Sequence, residues 1–196
     1  MRRGTWQGHV FIGMSVDGMI ARADDDLDWL TGNADAPADG ASDPEEAGFT
    51  EFMRLVDHLV MGRSTYEIVE SFGEWPYGDT PVLVLSTTLE SDDPRITVVR
   101  SLDEALARLD DDGARHVYVD GGRTVRTFLV EGLIDTLTLT RVPVLIGDGK
   151  PLFGSVPADI LLTHEETKVL SGGAVQSRYR VDGPLSRPPV DSARDD

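Results

Sequence analysis

The sequence predicts an α/β fold in which helices flank a central, mostly parallel β-sheet. Short runs rich in valine, isoleucine and leucine alternate with segments of helical periodicity along most of the chain. Residues 81–85 are apolar at every position, which is typical of a strand that a parallel sheet buries on both faces. The 196 residues suffice for one domain with its own core, and they contain no internal repeat.

The first half of the chain contains four predicted strands and two predicted helices. Apolar residues recur from Phe49 to Val56 with the spacing of one helical face, which predicts a helix over residues 44–57. Residues 24–42 are rich in aspartate, glycine, alanine and proline and have no period, so we expect a loop there. The remaining expected elements are strands over residues 9–15, 59–61, 81–85 and 96–99 and a helix over residues 64–72.

The second half begins with a capping box, in which Ser101 and Glu104 mark the start of a helix. We expect an antiparallel hairpin near the C-terminus, because two strand-like runs flank Ser171-Gly172-Gly173. Residues 184–196 are predicted to be a flexible tail that follows a single domain of residues 1–183. The other expected elements are strands over residues 116–119, 133–142, 160–170 and 174–181 and a helix over residues 123–131.

Composition narrows the classes of function. The net charge is −17, from 35 acidic and 18 basic residues, so we expect neither nucleic acid nor an anionic membrane as a partner. The absence of cysteine excludes disulfides, thiolate nucleophiles and cysteine-ligated zinc, and the four histidines are scattered singly, so no metal site is predicted. Because the apolar runs are too short to span a bilayer and residues 1–4 lead into a strand, we expect a cytoplasmic protein.

Three predicted turns at the ends of strands carry glycine, hydroxyl or arginine residues. Their sequences are GRST at residues 62–65, DGGRT at residues 120–124 and LSTT at residues 85–88. Ser64 and Glu67 predict a capping box in the first turn. Backbone amides and guanidinium groups at a helix start bind anions, and such turns meet at the carboxyl edge of a parallel sheet. The pattern favours a site for a phosphate-bearing dinucleotide; the alternative is that these are ordinary strand–helix turns.

The order and spacing of these motifs resemble the dihydrofolate reductase superfamily across residues 8–182. The resemblance rests on FIGMSVDGMIA at 11–21, VMGRSTYE at 60–67, VLVLS at 82–86 and VDGGR at 119–123. The S-x-D-G-x-I-A opening and the segment VPVLIGDGKPLF at 142–153 are more similar to the branch typified by the RibD C-terminal domain, a reductase domain of the riboflavin pathway. The resemblance implies a three-layer, dihydrofolate reductase-like fold with a C-terminal antiparallel hairpin.

The resemblance also implies that the cofactor is NADPH. Gly13, Ile20 and Ala21 would border the nicotinamide, and Thr87 would lie near the 2′-phosphate. The residues expected to hold the pyrophosphate and the adenosine are Gly62, Arg63, Ser64, Thr65, Leu85, Ser86, Gly121, Gly122, Arg123 and Thr124. The net charge of −17 opposes an anionic cofactor, but it is screened over about 8 Å at physiological salt, so local arginines should prevail.

Catalytic and substrate-binding residues are predicted from the same resemblance. The superfamily places a carboxylate on its first helix, and Glu46, three residues before Phe49, is the candidate here. The alternative interpretation is that Glu46 is a first-turn acid that favours the helix dipole. Thr140 falls where the superfamily hydrogen-bonds near the substrate. We expect Trp29, Phe49 and Arg141 to contact the substrate.

The activity that the resemblance implies is NADPH-dependent reduction of a pyrimidine- or pterin-like heterocycle, similar to 5-amino-6-(5-phosphoribosylamino)uracil reductase. A ribose phosphate would need basic residues, and Arg22 and Arg141 are available. Two alternatives stay open: a genuine dihydrofolate reductase, and an NADPH-binding module without turnover. The expected partners are a small heterocyclic substrate and a second copy of the chain, as a homodimer.

Overall fold

Ten strands occur in the part of the chain that the structure, a computed structural model, describes: residues 4–31 and 44–184. They are β1 (Gln7–Ser15), β2 (Met19–Arg22), β3 (His58–Gly62), β4 (Val82–Leu85), β5 (Ile96–Val99), β6 (His116–Asp120), β7 (Thr136–Val142), β8 (Gly149–Pro151), β9 (Ile160–Val169) and β10 (Val175–Pro184). Eight of them form one sheet in the order β5-β4-β3-β6-β1-β7-β10-β9. The other two, β2 and β8, pair with each other as a separate ribbon.

The eight-stranded sheet is parallel except at β10, which runs antiparallel to both β7 and β9. This confirms the predicted fold class, including the C-terminal hairpin. The hairpin turns at Ser171–Gly173, where Gly172 and Gly173 have φ of 67° and 76°. Glycine is needed there, because other residues rarely adopt this left-handed conformation.

Six helices occur among the described residues: α1 (Asp28–Thr31), α2 (Pro44–Ala47), α3 (Phe49–Leu55), α4 (Arg63–Ser71), α5 (Leu102–Asp111) and α6 (Gly122–Val130). α5 begins as predicted, with Ser101 Oγ accepting a hydrogen bond from the Glu104 amide at 3.1 Å. The single helix predicted over residues 44–57 is wrong. It is divided into α2 and α3, because Gly48 adopts a left-handed conformation with φ of 83°.

Two predicted boundaries also differ from the structure. The strand expected from residue 133 begins at Thr136, because Gly132 ends α6 with φ of 67° and the next amide bonds back to the helix at 2.8 Å. The last strand extends beyond residue 181. Pro184, which was assigned to the flexible tail, is still paired with Ile160 of β9.

Three short elements were not predicted: β2, β8 and α1. Each has only three or four residues, too few to show a helical or strand period. α1 lies inside the stretch predicted to be a loop over residues 24–42. The rest of that loop, residues 32–42, and the predicted tail from residue 185 onward lie outside the described residues.

The core has two parts, one on each face of the sheet. α5 and α6 pack on one face, where Phe128 is fully buried. α3 and α4 cover the other face, where Tyr66 of α4 is buried. β3 contributes to both, because Val60 belongs to the first part and Leu59 and Met61 to the second. Within the described ranges, no helix is long and apolar enough to cross a membrane.

Candidate active site

The first two turns that were predicted to bind phosphate lie side by side at the carboxyl edge of the sheet. They follow β3 and β6, which are neighbouring parallel strands. A Cβ atom on Gly62 would lie 3.1 Å from Thr124 Oγ1, and one on Gly121 would lie 2.3 Å from Thr65 Oγ1. The structure therefore brings together two segments that are far apart in the sequence.

The helices that follow these turns begin without a side-chain cap. Their N-caps are Gly62 for α4 and Gly121 for α6, and neither helix has an acidic residue in its first turn. The capping box predicted from Ser64 and Glu67 does not form, because α4 already begins at Arg63. α5, by contrast, has a side-chain cap and two acidic residues in its first turn. The amides and positive dipole ends of α4 and α6 are thus suited to an anionic ligand.

An arginine accompanies each of these helix starts. Arg63 is half exposed; its Nε donates to Glu67 at 2.7 Å and its Nη1 to Thr88 Oγ1 at 3.2 Å. This guanidinium therefore connects the turn after β3 to the turn after β4. Arg123 lies in the first turn of α6 and is exposed. Both arginines place positive charge where oriented amides already favour an anion.

The third predicted turn, after β4, adjoins the first one because Leu85 is paired with Gly62. The Leu85 side chain packs against the core. Ser86 is buried, and its Oγ accepts hydrogen bonds from two following amides at 3.0 and 3.3 Å. Thr87 is exposed. Of these three side chains, Ser86 shapes the turn and Thr87 faces solvent beside the first turn.

A cavity of about 670 Å³ opens beside the turns after β3 and β6. Its wall is largely aromatic and aliphatic, formed by Phe11, Ile20, Leu27, Leu30, Phe49, Ile68, Val69, Phe72, Tyr77 and Tyr118. Gly13 and Ala21 also line it, as do Thr65 and Gly121, so the cavity is continuous with the two turns. A cavity of this size with few polar groups is typical of a small-molecule site.

One acidic residue lines the cavity among the residues described there, and no motif predicted its role. Asp120 is the last residue of β6, and its carboxylate accepts hydrogen bonds from the Gly121 amide at 2.7 Å and the Tyr77 hydroxyl at 3.4 Å. Burial raises the pKa of Asp120 to about 6. The signal that points to it is a carboxylate placed directly after a buried strand, next to paired glycines.

Thr140 lines the cavity, and a buried amide fixes its hydroxyl group. Gln176 Nε2 donates to Thr140 Oγ1 at 2.9 Å and to the Ala47 carbonyl at 3.0 Å. Gln176 on β10 and Gly13 on β1 are the residues paired with Thr140 across the sheet. Because the oxygen accepts from Gln176, the Thr140 hydroxyl can donate its own hydrogen to a ligand.

Three of the residues predicted to be catalytic or to bind the substrate are not among the described residues that line the cavity. Glu46 is exposed, and its carboxylate accepts hydrogen bonds from the amide, at 2.9 Å, and the hydroxyl of Ser171, which ties α2 to the hairpin turn. Arg141 is exposed on the face of β7 opposite Thr140, because side chains alternate along a strand. Trp29 is half-buried on α1, and its buried Nε1–H has no hydrogen-bond partner among the described residues.

Ile20 and Ala21 belong to β2, and the pairing of β2 with β8 holds them beside the turns. Asp17 anchors this ribbon, accepting hydrogen bonds from Ser15 Oγ at 2.6 Å and the Gly147 amide at 2.7 Å. These hydrogen bonds, the one from Ser15 first, lower the pKa of Asp17 to about 2. The Asp17 carboxylate thus joins two segments that are distant in the sequence.

The fold and the site define an α/β protein with a ligand site at the carboxyl edge of a parallel sheet. The chain matches the model of the RibD C-terminal domain family over residues 8–175 and belongs to that family. The resemblance found in the sequence motifs is therefore confirmed.

Three proteins illustrate what the chain is similar to. The uncharacterized protein YwjB of Bacillus subtilis (strain 168) is 33% identical over 174 residues, which cover 87% of this chain and 95% of YwjB. The crystal structure of a putative riboflavin biosynthesis protein from Shewanella sp. PV-4 has a TM-score of 0.76 and 34% identity, covering 90% of this chain and 99% of that one. A pyrimidine reductase-like protein from Corynebacterium diphtheriae has a TM-score of 0.61 and 18% identity, and the match covers 90% of this chain and 92% of that one. At this identity the match shows a common fold alone.

Proposed function

We propose that this chain is an NADPH-dependent reductase of a pyrimidine- or pterin-like heterocycle. The observation that carries the proposal is the pairing of two uncapped helix N-termini, each with an arginine in its first turn, beside an apolar cavity. Membership of the RibD C-terminal domain family, and the similarity to a putative riboflavin biosynthesis protein, support a reductase of the riboflavin-pathway type.

The residues at the two turns fit the pyrophosphate of a dinucleotide. Gly121 has φ of 85° and no side chain, so an anion can approach the backbone at the start of α6 closely. Arg63, Arg123 and the Thr65 hydroxyl would supply charge and hydrogen bonds to the phosphates. Thr87 would lie on the adenosine side of the cofactor. The Arg63 guanidinium is close to it, because it donates a hydrogen bond to the neighbouring Thr88.

The chain's own contribution to the reaction is alignment, exclusion of water and control of a proton. NADPH, when bound, supplies a hydride. Gly13, Ile20 and Ala21 would border the nicotinamide, and the aromatic wall would displace water from around a bound heterocycle. Thr140 would orient the heterocycle through its hydroxyl hydrogen, because Gln176 fixes the oxygen.

We propose Asp120 rather than Glu46 as the residue that holds the proton for the reduced heterocycle. Asp120 lines the cavity and its pKa is raised to about 6, so its carboxyl oxygen can bind and release a proton near neutral pH. Glu46 does not line the cavity, and its carboxylate already accepts hydrogen bonds from Ser171, a residue that does. The carboxylate that a dihydrofolate reductase would use is therefore not presented by Glu46.

The test is a fluorescence titration with NADPH, followed by turnover assays with aminouracil, dihydropterin and dihydrofolate substrates. We expect saturable binding of NADPH and oxidation of NADPH with an aminouracil or a dihydropterin. Turnover of dihydrofolate alone would instead favour a folate reductase. Binding without any turnover would favour a binding module, and absence of binding would contradict the proposal.

We propose further that the protein forms a homodimer through β9, the outer strand of the sheet. Leu161, Leu162 and Val169 of β9 are 46%, 41% and 74% exposed. Residues 160–184 carry three acidic and three basic residues, so this hairpin is neutral in a chain of charge −17, and two copies can approach there with least repulsion. Light scattering should give a molar mass of twice the 21.4 kDa of the chain. Replacing both Leu161 and Leu162 with lysine should reduce the molar mass to that of the monomer.

A further inference from the structure

The cavity contains almost no charge. Among the described residues that line it, Asp120 is the one acidic residue, and there is no lysine or arginine. The polar groups that remain are hydroxyls, including those of Thr140 and Ser171, and the phenols of Tyr77 and Tyr118. A buried phosphate needs guanidinium or ammonium partners or several free amides. The described residues that line the cavity supply neither a guanidinium nor an ammonium group.

Apart from the arginines of the two turns, three basic side chains close to the cavity are bound to other groups. Arg22, next to the lining residue Ala21, contacts Asp28 at 3.0 Å, and Lys150 of β8 is paired with Asp25. Lys168 lies 3.4 Å from the carbonyl oxygens of Glu46 and Ala47. Arg141, on which a ribose phosphate was expected to depend, lies on the opposite face of β7 from the cavity.

The segment between α1 and α2 cannot supply the missing positive charge. Leu27 and Leu30 before it and Ala47 and Phe49 after it line the cavity, so it connects two parts of the wall. Residues 32–43 lie outside the described residues, but their sequence contains three aspartates and no lysine, arginine or histidine. They therefore add three negative charges to the chain and contribute no cationic side chain for a phosphate.

We infer that the substrate of this site is a flat, uncharged heterocycle without a phosphate group. This inference rests on the proposed reductase function and narrows its substrate class, since the riboflavin-pathway substrate carries a ribose phosphate. Stacking on Phe11 or Phe49 would hold the rings. Asp120 and the Thr140 hydroxyl would recognise ring nitrogens and carbonyl oxygens by hydrogen bonds. Phosphate recognition is then confined to the turns after β3 and β6, which serve the coenzyme.

The experiment compares ligands that differ by the phosphate alone. The pairs are 5-amino-6-(5-phosphoribosylamino)uracil with its dephosphorylated form, and dihydroneopterin monophosphate with dihydroneopterin. Binding to the NADP⁺-saturated protein is measured by calorimetry, and turnover is measured with NADPH. We expect the form without phosphate to bind at least about tenfold more tightly in one pair, because the phosphate would enter a cavity whose described lining carries an acid, Asp120, and no cation. Equal binding, tighter binding of the phosphates, or binding of neither form would overturn the inference.

A charge substitution at the cavity rim tests the cause of this preference. Phe72 lines the cavity and is 51% exposed, so Phe72→Arg adds a cation at little cost to the core. We expect it to reduce the preference for the neutral ligand several-fold. The matched control is Val130→Arg on α6, which is 43% exposed, makes the same change in net charge and does not line the cavity. An equal effect of both variants would show that overall charge, not the cavity, sets the preference.

The outcome separates this inference from the proposed function. If the wild-type protein does not bind NADPH or NADP⁺, the reductase proposal fails first. If the coenzyme binds and the phosphorylated ligands are preferred, the reductase proposal stands and the inference about the substrate is wrong.

Discussion

The turns after β3 and β6 use the same kinds of residue, yet their backbones impose different demands. Gly62 has φ of −85°, an extended conformation that any residue adopts, whereas Gly121 has φ of 85°. A Cβ atom on Gly62 would come no closer than 3.1 Å to Thr124 Oγ1, but one on Gly121 would lie 2.3 Å from Thr65 Oγ1. Glycine is therefore required in the second turn and only favoured in the first.

The residues that precede the two turns differ in a related way. Met61 and Asp120 are paired across β3 and β6, but Met61 is fully buried in the core and Asp120 lines the cavity. The turn after β3 thus offers a binding surface alone. The turn after β6 combines a binding surface with a titratable group, so substitutions there should have larger consequences.

The largest effect is expected for Gly121→Ala. The substitution combines an unfavourable positive φ with a clash against Thr65, and it should lower the free energy of unfolding by about 4 kcal/mol. Urea unfolding measures this change. Adding Thr65→Ala should recover the part due to the clash and leave the part due to φ. A loss below 1 kcal/mol would mean that the second turn tolerates side chains as well as the first.

The second effect is a pH dependence that Asp120→Asn should remove. The pKa of Asp120 is 3.8 without perturbation and about 6 in the fold, so the folded state holds the proton more tightly. Wild-type stability therefore falls as pH rises from about 4 to about 6. At pH 8 the asparagine variant should be more stable than wild type by about 3 kcal/mol, and at pH 3 the two should be equal.

Asp17→Asn provides a control of opposite sign for this titration. Hydrogen bonds lower the pKa of Asp17 from the ordinary value of 3.8 to about 2. The ionised carboxylate therefore stabilises the fold above about pH 4, and this stabilisation is lost as pH falls towards 2. Urea unfolding from pH 3 to pH 8 distinguishes the two carboxyls. If the free energy of unfolding changed with pH by the same slope in both variants, the two carboxyls would not differ in their surroundings as the structure indicates.

The third effect concerns the arginine of the first turn. Arg63→Ala should weaken NADPH binding by about 1.5 kcal/mol, at the low end for a charged hydrogen bond because the side chain is half exposed. NADH should lose less, since it lacks the 2′-phosphate. Arg108→Ala is the matched control, because Arg108 forms a similar exposed pair with Asp112 at 2.7 Å, four residues away on α5. Equal losses for NADPH and NADH would show that Arg63 does not contact the 2′-phosphate.

The smallest effect is expected for Gly62→Ala. The backbone is already in an allowed region, and Thr124 needs to move by only a few tenths of an ångström. The change in the free energy of unfolding should stay within about 1 kcal/mol in either direction. A loss as large as that of Gly121→Ala, in the same urea experiment, would remove the distinction between the two turns.

The turns and the parallel strands were predictable because their signals are local. A glycine after a buried strand and a capping box such as Ser101 with Glu104 are each contained in a few residues. The capping box expected at Ser64 failed because the N-cap is Gly62, two residues earlier, a shift that local patterns do not resolve. The break at Gly48 went unpredicted because the apolar spacing begins only at Phe49 and does not show where the helix starts.

The substrate side of the site was less predictable because distant segments assemble it. Phe11, Leu30, Phe72 and Tyr77 each look like ordinary core residues, and only the fold shows that they surround a cavity. Glu46 was placed on the right helix, but its carboxylate binds Ser171, a contact across 125 residues that no spacing reveals. Asp120 was within a recognised motif, and its environment rather than its position gives it a chemical role.

The place of β1 in the sheet affects how the chain acquires its structure during synthesis. β1 is made first, yet it lies between β6 and β7, which span residues 116–142. Val10 therefore has no neighbouring strand until most of the polypeptide has left the ribosome. Pairings between such remote segments form slowly. A growing chain thus carries β1 without its partner strands until β6 and β7 follow, and a premature stop before Thr136 leaves β1 without one of its two neighbours.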